Sequence, residues 1–585
     1  MSDIISRQEL AKVALGEAEA DLAVVNGDIV NVYTAEVMPE QTVLVKGSRI
    51  AYVGKNAQKS IGTNTRVIDA GGKTVIPGLI DGHTHMDYMF SIGEVCRFAM
   101  QTGTTSIITE TSELGFKLGY RGIMEFLKST RDQPVKFWLT FPPVVATSPI
   151  TAENTLSADE VRRLLRKKEV LGLGELFWAP ALSGDKRLLQ TIGEAYHSGK
   201  LLEGHAAGAE GNKLQAYADM GFTSDHEPID ADEVLERMRL GLYVMAREGE
   251  IREDLEAISR IKDKRIDFRR LCISSDGLGP WQFVQKGYMD FIVQRAIDLG
   301  IPPIKAIQMA TLNPAEHFKL EDIIGGIAPG RFADIVVVPN LTTIKPELVI
   351  SSGQVVAQKG EIVVQPRRHV YPPYTRRAIR LDRQLRAEDF AVLTDAPDGM
   401  VKVRVIELVT KLVTKEEVLQ LPVVRGQIQM DPTRDTVKLA AVEHRHAPGK
   451  TFIGFLRGLG LTEGAVAVST GWNTTDIIVA GANEGDMAQA VNRIKELSGG
   501  FVVCLNGMVL AELAMPVGGV ISLEPTEVLA AKLTDFQQAA MKLGCKSPDV
   551  RTTISALTSG AIPFLRICES GLFDVKLNKL VELVV

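Results

Sequence analysis

Between residues 77 and 325 short apolar runs alternate with amphipathic stretches, and this alternation limits the fold more than any other feature. The strand-like runs are Ser106 to Thr109, Lys136 to Leu139, Val170 to Gly174, Leu201 to Gly204 and Leu271 to Ser274. Helical periodicity fills the intervals, as in Ala158 to Lys168 and Asp232 to Glu248. Repeated β–α units over about 250 residues predict an α/β fold with a parallel sheet, closed as a TIM-like (β/α)8 barrel. A doubly wound sheet is the rival, but it usually carries a Gly-rich phosphate loop after an early strand. The sequence has no such loop there.

β-rich segments flank this stretch on both sides. Before it come Leu22 to Val25, Thr42 to Val45 and Arg49 to Val53, with Asn26-Gly27 and Lys46-Gly47-Ser48 reading as hairpin turns. After it come Ala333 to Val338, Gln354 to Ala357 and Glu361 to Val364. The two sets predict one small β-sandwich, assembled from segments on both sides of a long insertion. The expected domains are therefore 1–76 (an N-terminal helix and the first part of the sandwich), 77–325 (the barrel) and 326–365 (the second part of the sandwich). A basic, proline-rich linker at 366–385 and a C-terminal α/β domain at 386–585 complete the plan. Within that last domain, the runs Asp476 to Ala480 and Phe501 to Cys504 bracket a helical stretch from Asp486 to Leu497.

A formal net charge of -6 argues against a nucleic-acid surface, which usually has a basic excess. The start Met1 to Arg7 lacks an apolar core of signal-peptide length, and no apolar run is long enough to span a membrane. Five widely spaced cysteines fit reduced thiols in the cytoplasm better than a disulfide framework.

The run Thr74 to Ile80, broken at Pro77-Gly78, leads into Asp81-Gly82-His83-Thr84-His85. Side chains two apart on a strand point the same way, so His83 and His85 can reach one point beyond its end. Two neutral imidazoles there suit a divalent transition metal. Four further residues end strand-like runs, where barrel active sites are built: Glu175, His205, His226 and Asp276. A single strand-end His or Asp is usually a turn former. Six on successive β–α units point jointly to a metal site.

Here the chain resembles the amidohydrolase superfamily, and within it the bacterial adenine deaminases. The likeness rests on Pro77 to His85, Gly103-Thr104-Thr105, Leu171 to Glu175, Glu203 to Ala206, Thr223 to Glu227, and Arg239 to Met245 with Arg247-Glu248-Gly249. It extends through Met309 to Glu316 and Gly326 to Asp334. The resemblance implies that His83 and His85 hold one metal, His205 and His226 a second, and that Glu175 bridges them. It implies that Asp276 contacts the first metal and handles the proton, making Asp276 and Glu175 the catalytic pair. Two divalent ions are implied, manganese or iron first and zinc next. The implied reaction is hydrolysis of adenine to hypoxanthine and ammonia by metal-activated hydroxide, in a homo-oligomer of two or more copies with neither nucleic-acid nor membrane partners.

Departures from the family concentrate around the presumed pocket. Met86-Asp87-Tyr88-Met89 replaces Ile-Glu-Ser-Ser, and Glu110-Thr111-Ser112-Glu113 replaces Asp-Pro-His-Glu. Gly277 to Trp281 follows Asp276 in place of Arg-His-Pro-Asp, Tyr288 replaces a His, and Ser469 to Asp476 replaces a His-bearing segment. Glu113 and Trp281 are thus the expected substrate contacts. The changed neighbours keep a second reading open, in which the same chemistry acts on another small heterocycle, lactam or cyclic imide. A non-catalytic binding protein is the third.

Overall fold

The computed structural model describes residues 2–142 and 146–585. Eight parallel strands carry the middle of the chain. They are β1 (Leu79–Thr84), β2 (Thr104–Glu110), β3 (Lys136–Phe141), β4 (Val170–Phe177), β5 (Leu201–His205), β6 (Ser224–Asp225), β7 (Tyr243–Arg247) and β8 (Leu271–Ser274). The first five pair in sequence order as one sheet and the last three as a second. Single backbone bonds cross both seams, from Thr223 N to Leu202 O at 2.9 Å and from Asp276 N to His83 O at 3.1 Å. Buried carboxylates staple the same seams. Glu203 accepts from Thr223 Oγ1 and Ser224 Oγ and pairs with His317, while Asp81 accepts from Ser275 and Tyr288. Inside the strands Ile80, Ile108, Leu171, Leu201, Met245 and Cys272 form an apolar cluster with Phe318, Leu320 and Ile324.

Two sequence expectations change here. The apolar run at 74–80 is not one strand. Thr74–Pro77 pairs antiparallel with Ile335–Val338 in a different sheet, and Pro77-Gly78 marks the crossing into β1. The helix expected from Asp232 to Glu248 ends at Arg239, and Tyr243–Arg247 is strand β7. A five-residue apolar run has no periodicity of its own to separate the two.

The flanking β segments from both sides of the insertion hydrogen-bond into one nine-stranded sheet, and Val43, Val45 and Ile50 from one part of it share an apolar core with Ile335, Leu348 and Ile350 from the other. Lys46-Gly47-Ser48 is the expected hairpin turn between Glu36–Lys46 and Arg49–Gly54. Asn26-Gly27 instead lies inside the strand Leu22–Asn31 as a register shift. That strand pairs with Arg66–Asp69 before the shift and with Thr74–Pro77 after it.

The stretch 366–385 is packed rather than free. Tyr371, Thr375, Ala378, Ile379 and Leu381 are buried, and Thr375 O and Arg380 N bond to Gly518 N and His444 O. Beyond it a ten-stranded sheet, antiparallel but for one pair, is covered by the helices Glu484–Leu497 and Thr526–Lys542. Among the described residues, no helix is long and apolar enough to cross a membrane.

Candidate active site

The C-terminal strand ends converge, and the two-residue period explains how. Ile108 and Met245 belong to the apolar interior; Glu110 and Arg247, two residues on, stand on the same face at the rim. Glu175 and Asp276 sit at φ +45° and +49°, a left-handed backbone costly for a side-chain-bearing residue. Gly174, just before Glu175, has no room for a side chain, since a Cβ there would meet the Glu110 carboxylate.

Around Asp276 Oδ1 stand His83 Nε2 at 3.3 Å and His85 Nε2 at 3.5 Å. Around Glu175 Oε1 stand His85 Nε2 at 3.2 Å, His226 Nε2 at 3.7 Å and His83 Nε2 at 3.9 Å. His205 Nδ1 lies 3.1 Å from His226 Nε2 and 3.5 Å from Glu227 Oε1. All six residues expected from the sequence are thus brought together. Two groups have donor atoms close enough to share an ion: His83, Glu175, His226 and Asp276, and separately His205, His226 and Glu227.

The donor set fits a divalent transition metal. His83 Nε2 is buried and makes no hydrogen bond, as an imidazole facing a cation would. Burial, with His83 and His205 nearby, drives the His226 pKa well down, leaving a neutral imidazole able to ligate. Burial pushes Glu175 up, yet His85, His205 and His83 hold it down at about 2. Burial likewise acts against Asp276, but the adjacent His83 and His85 imidazoles and the charge of Arg247 hold it well below the usual carboxylate range. Both carboxylates are ionised at neutral pH.

Glu227 and Arg247 were not expected. Arg247 Nη1 reaches Glu227 Oε1 at 2.5 Å and Asp276 Oδ2 at 3.3 Å. The helical reading of 232–248 hid Arg247, whose signal was its place two residues beyond Met245.

Above this cluster opens a cavity of about 350 Å³. Its walls include Tyr88, Glu113, Phe177, Glu250, and from the C-terminal part Leu412, Trp472, Asn473 and Ser559. Glu113 therefore stands where the sequence suggested, and burial pushes it up to about 8 against the opposing charge of Lys117. Trp281 does not. It lies 43% exposed on the short helix Pro280–Gln285, lining a neighbouring cleft instead of the cavity. Tyr288 is also away from the cavity, fully buried with its hydroxyl donating to Asp81 Oδ2 at 2.7 Å.

Parallel β–α units with imidazoles and carboxylates gathered at their C-terminal ends define a hydrolase of the metal-dependent kind. Residues 74–363 match the amidohydrolase family, and the chain belongs to it. Residues 411–579 match the adenine deaminase C-terminal domain, which narrows the membership to the adenine deaminase family. The chain is 34% identical to an adenine deaminase of Staphylothermus marinus, over all of this chain and 98% of that protein. It is 35% identical to adenine deaminase 3 of Rhizobium meliloti over 98% of each chain. A solved structure of molinate hydrolase superposes with a TM-score of 0.45 at 17% identity, over 58% of this chain and 95% of that one.

Proposed function

We propose that the protein hydrolyses adenine to hypoxanthine and ammonia, as a cytoplasmic homo-oligomer. The observation that carries this reading is the convergence of four imidazoles with Glu175 and Asp276 beneath a cavity walled partly by the C-terminal part. Full-length likeness to adenine deaminases supports the choice of substrate. In this reading β1 to β8, within residues 77–325, close as one (β/α)8 barrel. Residues 1–76 and 326–365 form the supporting β domain, 366–385 joins, and 386–585 is the C-terminal domain.

His83 and His85 would hold one divalent ion and His205 and His226 a second, with Glu175 shared between them. Manganese or iron suits this set, with zinc next. Bound there, such ions lower the pKa of water so that it becomes nucleophilic near neutral pH. Asp276 accepts the proton of the attacking water and passes it to the amino nitrogen on C6. A C–O bond forms, the C–N bond breaks, and nitrogen departs as ammonia rather than as an amide anion. Arg247 fixes the Asp276 carboxylate through Oδ2 and leaves Oδ1 facing the imidazoles. Glu113, kept protonated at neutral pH by burial, is placed to donate to a ring atom.

The test is turnover. Protein loaded with manganese or iron is given adenine and a panel of lactams and cyclic imides, with ammonia release and the purine absorbance change recorded. Adenine is expected to be consumed with one ammonia per hypoxanthine. Cleavage of a cyclic amide with adenine untouched would transfer the assignment to that substrate class.

A further inference from the structure

Tyr88 stands in the cavity wall. Its hydroxyl oxygen lies 3.0 Å from Arg551 Nη1. Arg551 comes from the helix Val550–Ala556 of the C-terminal part and is only 5% exposed. Its Nη2 is held by Glu250 Oε2 at 2.7 Å and by Asp549 Oδ2 at 3.3 Å. The guanidinium is therefore locked by two carboxylates before it meets the phenol.

Hydrogen-bond bookkeeping then fixes the direction of the phenol. A guanidinium offers donors only, so the Tyr88 oxygen accepts from it. The phenol proton remains to be given. Among the described residues the phenol oxygen has Arg551 as its hydrogen-bond partner, and Thr470, nearby, pairs with Ser555 Oγ at 2.7 Å. Tyr88 lines the cavity, so a bound ligand comes within its reach. We propose that Tyr88 is a specificity-determining residue, whose hydroxyl donates a hydrogen bond to a ring nitrogen of a bound aminopurine, with Arg551 acting as its positioning residue. This rests on the deaminase reading above, and names the group that distinguishes a nitrogen heterocycle from a carbon isostere at one ring position. A site that holds a donor aimed at its ligand disfavours an analogue lacking the acceptor, because the donor is left unpaired.

The experiment uses the full-length, metal-loaded protein and three isosteres, 1-, 3- and 7-deazaadenine, each with one ring nitrogen replaced by CH. Wild type is expected to bind one of the three at least ~10-fold more weakly than adenine, measured as inhibition constants. Tyr88→Phe is expected to raise KM for adenine by about 10-fold with kcat within about 3-fold, and to bind that analogue as wild type does. Arg551→Lys, which keeps the charge but loses the fork, is expected to erase part of the same discrimination. Equal binding of all three isosteres by wild type would overturn the proposal without any variant. So would a Tyr88→Phe protein that keeps the wild-type discrimination, or one that loses kcat at unchanged KM. Wild type that neither turns over nor binds adenine would instead remove the functional reading itself.

Discussion

Arg247 is surrounded by carboxylates: Glu227 at 2.5 Å, Asp254 at 2.9 Å and Asp276 at 3.3 Å, with 2% of its side chain exposed. Removing a buried cation leaves its partners as uncompensated charges, a loss of about 3–5 kcal/mol. Arg247→Met is therefore expected to lower Tm clearly and to cut kcat as well, because Asp276 loses its anchor. Asp276→Asn separates chemistry from stability. The amide keeps the shape but cannot take a proton, so kcat should fall by roughly 10²- to 10⁴-fold while thermal unfolding still reports a folded protein. Unchanged activity would remove Asp276 from the proton path. At this scale the sequence was informative for residues that end apolar runs, such as Glu175, His205 and Asp276. It was silent on Arg247, whose run looked helical, and misleading for Trp281, whose short helix turns it away from the cavity.

Among the elements, the strand Leu22–Asn31 shows how local chemistry can be overruled. Asn-Gly is the strongest short hairpin signal, yet a hairpin needs its second strand to fold back on the first. Here the chain continues forward, and the register shift at Gly27 lets one strand edge serve Arg66–Asp69 and then Thr74–Pro77. Asn26 takes φ +60° at the shift, and a Cβ on Gly27 would lie 2.4 Å from Val75 Cγ2. Gly27→Ala is expected to cost about 1–3 kcal/mol through this clash. The loss should appear as a lower Tm with kcat unchanged, since the sheet supplies no residue to the cavity. An unaltered Tm would mean that Val75 can move aside. Five strands of the parallel sheets, β2 to β5 and β8, were legible because each carries a buried strand-like run, whereas β7 read as helix and the two-residue β6 has no apolar run at all. Closure into a barrel was expected from the number of units alone, and nothing in the sequence pointed to the contacts that link the two sheets, Glu203 with His317 and Asp81 with Ser275 and Tyr288, between residues 114, 194 and 207 positions apart.

For the whole molecule, the C-terminal part completes the cavity wall through Trp472, Asn473 and Ser559 and locks Tyr88 through Arg551. Sequence periodicity has no means of revealing which distant loop covers which strand end. The same close packing makes stability depend on pH, most simply at Glu248, one residue beyond β7 and 4% exposed. Burial, then the charge of Glu253, pushes its carboxyl up to about 7 against Arg295, whose Nε stays 3.8 Å away. Oε2 has no hydrogen-bond partner. In the unfolded chain the same group ionises near the ordinary glutamate value. A raised folded pKa means the folded state binds the proton more tightly, so this contribution to stability is complete in acid and is lost as pH rises toward about 7. Glu248→Gln mimics the protonated form and cannot lose it. The variant should therefore match wild type near pH 4 and exceed it by roughly 1–3 kcal/mol near pH 8, read as a Tm gap that opens with pH. Melting curves of the two proteins that stay parallel across that range would place the Glu248 carboxylate in water rather than in the packed interior.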